Sequence, residues 1–385
     1  MSEYQYYEFQ AIDRPLTKDE MAELRALSTR ATITPTRFVN VYNYGDFRGD
    51  PLRLMERYFD AFVYVANWGT NRFMLRLPRR VLAPETAERY CVADGTAVHV
   101  KGEHVILEFV SEDEEGGRWI EDEDAEGRLP ALIPLRADLA GGDRRSLYLA
   151  WLACACSGAL EDEEREPPVP PGLGSLSASL KALADFLRID EHLIAVAAER
   201  SAALPVGPAV GDFEQWIRAL PTSEKDDLLL RLAQGDEPHL RAELLLRFRA
   251  AHALESPDSV GEARTVAELL ARAKERAEAR RRSEAAREAK EEARRAREQA
   301  AARAVYLDDL AGREEDLWRR VEALVETKEQ KNYDQAVQLL VDLRDLANRK
   351  KTTEEFKVRL SELTAPHAKK PSFISRLDRA GLPRG

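Results

Sequence analysis

The chain has 385 residues, with 58 Lys and Arg against 69 Asp and Glu, a formal net charge of −11, 44% hydrophobic residues and 33% charged residues. That apolar fraction excludes wholesale disorder, and the lack of any run of about 18 apolar residues excludes a membrane-spanning helix. Three cysteines (Cys91, Cys154, Cys156) are too few for a disulfide framework, and the polar, aromatic start has no apolar signal core, so the expected compartment is the cytoplasm.

Residues 1–160 are expected to form an α+β domain, a small sheet of about five strands with helices on one face. The run from Tyr4 to Ile12 is aromatic and extended. Thr17 and Glu20 have the spacing of a capping box, and Met21, Leu24 and Leu27 follow at helical intervals. A β-branched and aromatic stretch from Thr32 to Tyr44 reads as a strand, placed at an edge or interrupted by Pro35. A second helix is expected from Pro51 through Leu54, Met55, Tyr58, Phe59 and Phe62 to about Val65. Alternation over Asn71 to Leu77 predicts a half-buried strand, and Pro84 to Tyr90 a short helix. Thr96–Val100 and Val105–Val110 flank Lys101-Gly-Glu103 as a hairpin, across which His99 and His104 could face each other.

Residues 111–129 read as an acidic loop carrying Trp119 and Ile120. Glu121-Asp-Glu-Asp124 lacks the spacing of a calcium loop, so it is expected to be solvated or to face a partner. Helices follow over Pro130–Leu139 and Asp143–Leu160. Residues 161–174 are acidic and then Pro-rich (Pro167-Pro-Val-Pro-Pro-Gly-Leu-Gly174) and read as the clearest linker in the chain. Residues 175–260 carry short amphipathic helical patterns, a small helical domain.

Residues 261–312 predict one long charged helix. From Ala271 to Ala304 there is no Leu, Ile, Val, Phe or Met, and the composition is Ala, Arg, Lys, Glu and Gln with one Ser. These are strong helix formers, and Glu278/Arg282 and Glu291/Arg295 lie at i,i+4 in the favourable order. Such a helix would span roughly 50 Å at 1.5 Å per residue. It is either a solvated arm or a weak coiled coil seamed by alanine, through which the chain could self-associate. Residues 313–365 predict a C-terminal helical bundle, and residues 366–385 a basic tail.

The net charge hides an asymmetry. Residues 271–304 hold twelve Lys and Arg against seven Glu, and residues 366–385 five against one, whereas the acidic runs lie before Glu166. Basic side chains are candidates for nucleic-acid contacts: Arg280, Arg281, Arg282, Arg294 and Arg295 in the arm, Lys369 and Lys370 in the tail. Phe373, Ile374 and Leu377 share a helical face in the tail, which reads as a docking peptide or as a helix folded back on its own domain. The N-terminal aromatics Tyr4, Tyr6, Tyr7, Phe9, Phe38, Tyr42 and Tyr44, with Arg48, Arg53, Arg72 and Arg76, could stack bases or build the core.

Catalytic motifs do not emerge. There is no phosphate-binding glycine loop and no nucleophile elbow, and Cys154 and Cys156 are spaced for different faces of a helix rather than for zinc. No catalytic residue, cofactor or metal is expected. The segments Ser2–Thr17, Tyr44-Gly-Asp-Phe-Arg-Gly49, Tyr64-Val-Ala-Asn-Trp-Gly69 and Glu166-Pro-Pro-Val-Pro-Pro171 together resemble a bacterial protein family that has no assigned activity. The resemblance extends over most of the chain and implies a bacterial cytoplasmic protein, with no functional residues to carry over.

The expectation is therefore a non-enzymatic interaction or scaffold protein, bridging protein partners through its α+β domain and its arm and tail. A nucleic-acid-binding accessory protein using the basic arm and tail is the alternative, and an enzyme with an unrecognised site in the N-terminal domain the third reading.

Overall fold

A computed structural model describes residues 4–113, 125–204, 210–234, 239–252, 263–327 and 329–382. The expected acidic loop and the Glu121–Asp124 run fall for the most part outside these residues. The chain divides into two compact units, Met1–Ala279 and Arg280–Gly385.

The N-terminal unit is built on a seven-stranded antiparallel sheet: β1 Gln5–Gln10, β2 Thr32–Ile33, β3 Arg37–Tyr42, β4 Ala61–Ala66, β5 Asn71–Pro78, β6 Thr96–Lys101 and β7 His104–Ser111, in spatial order β2-β3-β1-β4-β5-β7-β6. Two strands exceed the sequence expectation. One is β2, split from β3 around Pro35, which leaves a two-residue strand at that edge. The other is β4, which replaces the second half of the helix expected over 51–65. The helix there, α2 Pro51–Arg57, is capped by Asp50 and ends at Tyr58. Ala61-Phe-Val-Tyr-Val-Ala66 then runs between β1 and β5. A strand buried on both faces has no polar alternation, and Leu54, Tyr58, Phe62 and Val65 mimic helical spacing across what is a turn.

Helices lie on both faces of the sheet, not on one. The face carrying Tyr6, Val63, Phe73, Leu75 and Leu107 forms the larger core. Its cover comes from α3 Pro84–Glu88, α4 Arg128–Leu132, α5 Pro134–Ala140, α6 Arg145–Ser157, α7 Ala178–Phe186 and α8 Glu191–Ala198. The helix expected over 130–139 is divided because Pro134 starts a new one at its favoured first position. The opposite face carries Phe9, Phe38, Phe62, Met74 and Ile106, covered by Leu24 of α1 Lys18–Leu27 and by Leu54 and Met55 of α2. The capping box at Thr17 and Glu20 forms as the spacing predicts.

Residues 161–174, expected as a linker, are built into the larger core. Val169 and Leu173 belong to it. Glu166 lies inside the protein, held by two hydrogen bonds from Arg264 at 2.8 and 2.6 Å and by the Tyr148 hydroxyl. Beyond this come α9 Val210–Ala219, α10 Thr222–Gln234 and α11 Leu240–Ala251, where Phe213, Trp216 and Phe248 meet ring to ring.

The charged helix is α12 Val266–Leu310, 45 residues long. It opens with a second capping box, Thr265 with Glu268, and places Val266, Leu269 and Ala273 in the N-terminal unit's core. Residues 281–300 are exposed on every side. In the C-terminal unit, α13 Glu314–Glu326, α14 Gln330–Lys350, α15 Thr353–Thr364 and α16 Pro371–Arg379 bury Trp318, Val321, Leu340, Phe356, Leu360 and Phe373. The end of α12 joins them through Leu310, and Arg303 pairs with Asp342 and Asp345 of α14 at 2.6 and 2.8 Å. No helix among the described residues is long and apolar enough to cross a membrane.

Candidate functional site

A concave polar feature of the N-terminal unit lies on the sheet face shared with α1 and α2. The register places Tyr7 opposite Tyr64 and Tyr64 opposite Arg72, and puts Glu108 two residues before Val110, which faces Arg72. Alternate residues of a strand share a face, so four strands deliver these side chains to one row. The row lines a cleft of about 420 Å³ with Phe47, Gly49, Pro51, Phe62, Thr70, Val110 and Glu112. Tyr7 stands 4.6 Å from Tyr64 and 5.2 Å from Phe47, centroid to centroid.

Polar contacts hold this lining in place. Gln5 Oε1 accepts from the hydroxyls of Tyr7 and Tyr64 at 2.6 and 3.2 Å, while its Nε2 donates to Gly45 O and Asp46. Burial pushes the Tyr7 phenol up to about 12, and burial together with the neighbouring Tyr7 raises Tyr64 further. Both phenols are therefore neutral donors at physiological pH. Arg72 Nε meets Glu108 Oε1 at 2.5 Å, and Glu108 Oε2 lies 2.8 Å from His99 Nε2.

A second polar cluster, within the same unit, is a closed ion network. Arg136 of α5 grips Asp13 in a bidentate pair at 2.8 and 2.6 Å, and His239 Nε2 lies 3.1 Å from the same carboxylate. Asp60 accepts from Arg76 and from the backbone of Ile12 and Asp13. Burial opposes ionisation of Asp13, but hydrogen bonds from His239 and Arg136 outweigh it and hold the carboxyl well below its usual range. These groups satisfy one another and fasten α5 and the start of α11 to the end of the sheet.

The sequence-predicted site residues separate into two sets. Arg280, Arg281, Arg282, Arg294 and Arg295 are all exposed on α12. Glutamates one turn away partner some of them: Arg280 with Glu284 at 2.8 Å, Arg294 with Glu298 at 3.7 Å and Arg295 with Glu291 at 3.9 Å. Lys369 is exposed, whereas Lys370 donates to Val325 O at 2.7 Å. The docking set is covered by its own unit: Phe373 and Leu377 are 0% and 3% exposed, and Ile374 packs beside them. The tail is thus the last helix of the C-terminal core, with Phe373 against Tyr333 at 5.5 Å.

Other expectations are also relocated. His99 faces Ile106 and His104 faces Lys101, so the two histidines do not meet across the hairpin. Tyr4, Tyr6, Tyr7, Phe9 and Phe38 are core residues, Arg76 is paired with Asp60, and only Tyr44 of the seven aromatics is largely exposed, at 79%. Cys154 is buried and its thiol approaches Asp94 O at 3.6 Å, with Cys156 exposed on another face. Among the described residues no group of three or more His, Cys, Asp or Glu could hold a metal ion.

Sequence reading missed Gln5, Phe47 and Glu108 as lining or positioning groups. The helical spacing over 51–65 takes in Tyr64 and hides the row; the alternation of Arg72 and Met74 is the one visible signal. In the C-terminal unit, a groove of about 970 Å³ also went unforeseen. Glu322 and Glu326 of α13 and Glu354, Glu355 and Glu362 of α15 rim it, over Val358 and Leu363. No family model, curated protein or solved structure matches the chain.

Proposed function

We propose that the chain is a non-enzymatic interaction protein, in which the α+β unit and the C-terminal helical unit each carry a binding surface and share α12. The supporting observation is that α12 supplies core residues to both units, Leu269 to the first and Leu310 to the second, while its residues 281–300 are left entirely to solvent. A helix polar all round is a natural connection between modules. The acidic groove of the C-terminal unit suits a basic segment of a protein partner.

The test is affinity capture with crosslinking, using the intact chain and a Glu326→Lys/Glu355→Lys variant checked for unchanged circular dichroism. A defined protein set captured by the wild type and reduced in the variant supports the reading. Identical, nonspecific sets from both would sink it. Nucleic-acid binding is the second reading, favoured by the exposure of Arg281, Arg282, Arg294 and Arg295. It requires retention of RNA or DNA at low salt that falls steeply as salt rises.

A further inference from the structure

We infer that the sheet-face cleft of the N-terminal unit binds a small planar anion, an aromatic carboxylate, with the ring against Tyr64 and Tyr7 and the carboxylate on Arg72.

The cleft's volume of about 420 Å³ lies in the range of ligand pockets, which run from roughly 300 to 1,000 Å³, and one or two fused rings fit within it. Its wall is aromatic. The Tyr7 ring lies 4.6 Å from Tyr64 and 5.2 Å from Phe47, and offset stacking on such a wall favours a planar guest. Phe47 owes its placement to Gly49. A Cβ there would come within 2.5 Å of the Phe47 ring, so only glycine lets the ring lie over the backbone at the cleft's edge.

The charge is set by how Arg72 is used. Its Nε is spent on Glu108, and among the described residues neither terminal nitrogen has a hydrogen-bond partner. Glu108 is itself engaged at both oxygens, by Arg72 and by His99. Glu108 therefore acts as a positioning residue: it fixes the plane of the guanidinium and leaves the terminal pair of N–H groups as an open fork. A fork of that kind matches a carboxylate with two parallel hydrogen bonds, which a lysine cannot do. Glu112, the remaining acid of the lining, is exposed at the rim, where water and salt screen it. The Tyr7 and Tyr64 hydroxyls are turned to Gln5 rather than to the guest, so the wall presents ring faces while the phenols stay satisfied.

Isothermal titration of the intact chain with indole-3-acetate and 4-hydroxyphenylacetate tests this, beside tryptamine as the cationic counterpart. At least one anion should bind saturably with a dissociation constant at or below about 1 mM, and tryptamine should not. Arg72→Gln should weaken the anion at least about 10-fold, the loss expected for a charge-assisted hydrogen bond. Arg72→Lys, which keeps the charge and the Glu108 pairing but not the fork, should weaken it as well, with an unchanged thermal melt showing that the fold is intact. No saturable binding of either anion, equal binding of tryptamine, or wild-type affinity in both variants would overturn the assignment.

Discussion

Arg264→Met should unseat the segment that the sequence presents as a linker. Glu166 and Arg264 have side chains only 2% and 3% exposed, and two hydrogen bonds at 2.6 and 2.8 Å join them. Arg264 also donates to Val196 O at 2.8 Å, and Tyr148, kept neutral by burial and by the Glu166 charge, donates to the same carboxylate. Removing one partner of a buried ion pair strands the other charge, at a cost of about 3–5 kcal/mol. In a unit of this size that lowers the melting temperature by about 10 °C. The double variant Glu166→Leu/Arg264→Met removes both charges and should recover most of the loss. It should not recover all, because the Tyr148 hydroxyl is left without its acceptor at about 1–3 kcal/mol, while Val196 O keeps only its bond from Glu199 N. Differential scanning calorimetry of the full chain resolves this through the transition of the N-terminal unit. A single variant within about 1 kcal/mol of wild type, or a double variant as unstable as the single, would refute the reasoning.

Asp13→Asn should destabilise the N-terminal unit in a pH-dependent manner. Hydrogen bonds and charge hold the folded carboxyl below its unfolded value of about 3.9, so its contribution is complete above that pH and declines as pH falls below it. The stability gap between wild type and variant, read by urea unfolding, should therefore be constant from pH 7 to 5 and narrow toward pH 3; a gap that widens on acidification contradicts it. Phe373→Ala should cost the C-terminal unit about 3–5 kcal/mol, because the side chain is wholly buried against Tyr333. A melt indistinguishable from wild type would mean that the tail is not part of that core. Trypsin should cut the native chain first between Arg280 and Arg297, where the helix is exposed on every side and carries i,i+4 pairs worth a few tenths of a kcal/mol each. Protection of that stretch that grows with protein concentration would instead indicate a self-associated arm.

The sequence made some elements plain for physical reasons. Thr17 and Glu20 announced α1 because a capping box is local chemistry. The long helix was legible from composition alone, since Ala, Arg, Glu and Lys over 34 positions have no other regular state. Elements decided by tertiary contact were hidden. Ala61–Ala66 became a strand between β1 and β5; its Phe62-Val-Tyr-Val65 run has the composition of one, but Leu54, Tyr58, Phe62 and Val65 also continue a helical spacing, and the flanking strands decide between the two. Proline and glycine at 167–174 signalled a break in helix but not exposure, which Val169, Leu173 and the distant Arg264 decided. The row of Tyr7, Tyr64, Arg72 and Glu108 could not be read because it exists only once four strands are in register. The excess of basic residues on α12 was legible, but the burial of Phe373 and Leu377 was not: an apolar stripe has the same pattern whether a partner or the chain itself covers it.

The isolated bridge between Arg165 and Thr265, with Glu166 N donating to Arg264 O at 2.8 Å, has a consequence for biosynthesis. All seven strands leave the ribosome well before Arg264 is made. Until it emerges, Pro168, Pro170 and Gly172 can already be held by Tyr90, Ser201 and Arg145, but the backbone at Glu164 and Glu166 lacks its partners and the carboxylate of Glu166 lacks its guanidinium. The N-terminal unit is thus completed only by the residues that open α12, and a nascent chain halted short of Arg264 leaves a buried carboxylate unpaired and the sites of Val266, Leu269 and Ala273 in the core unfilled.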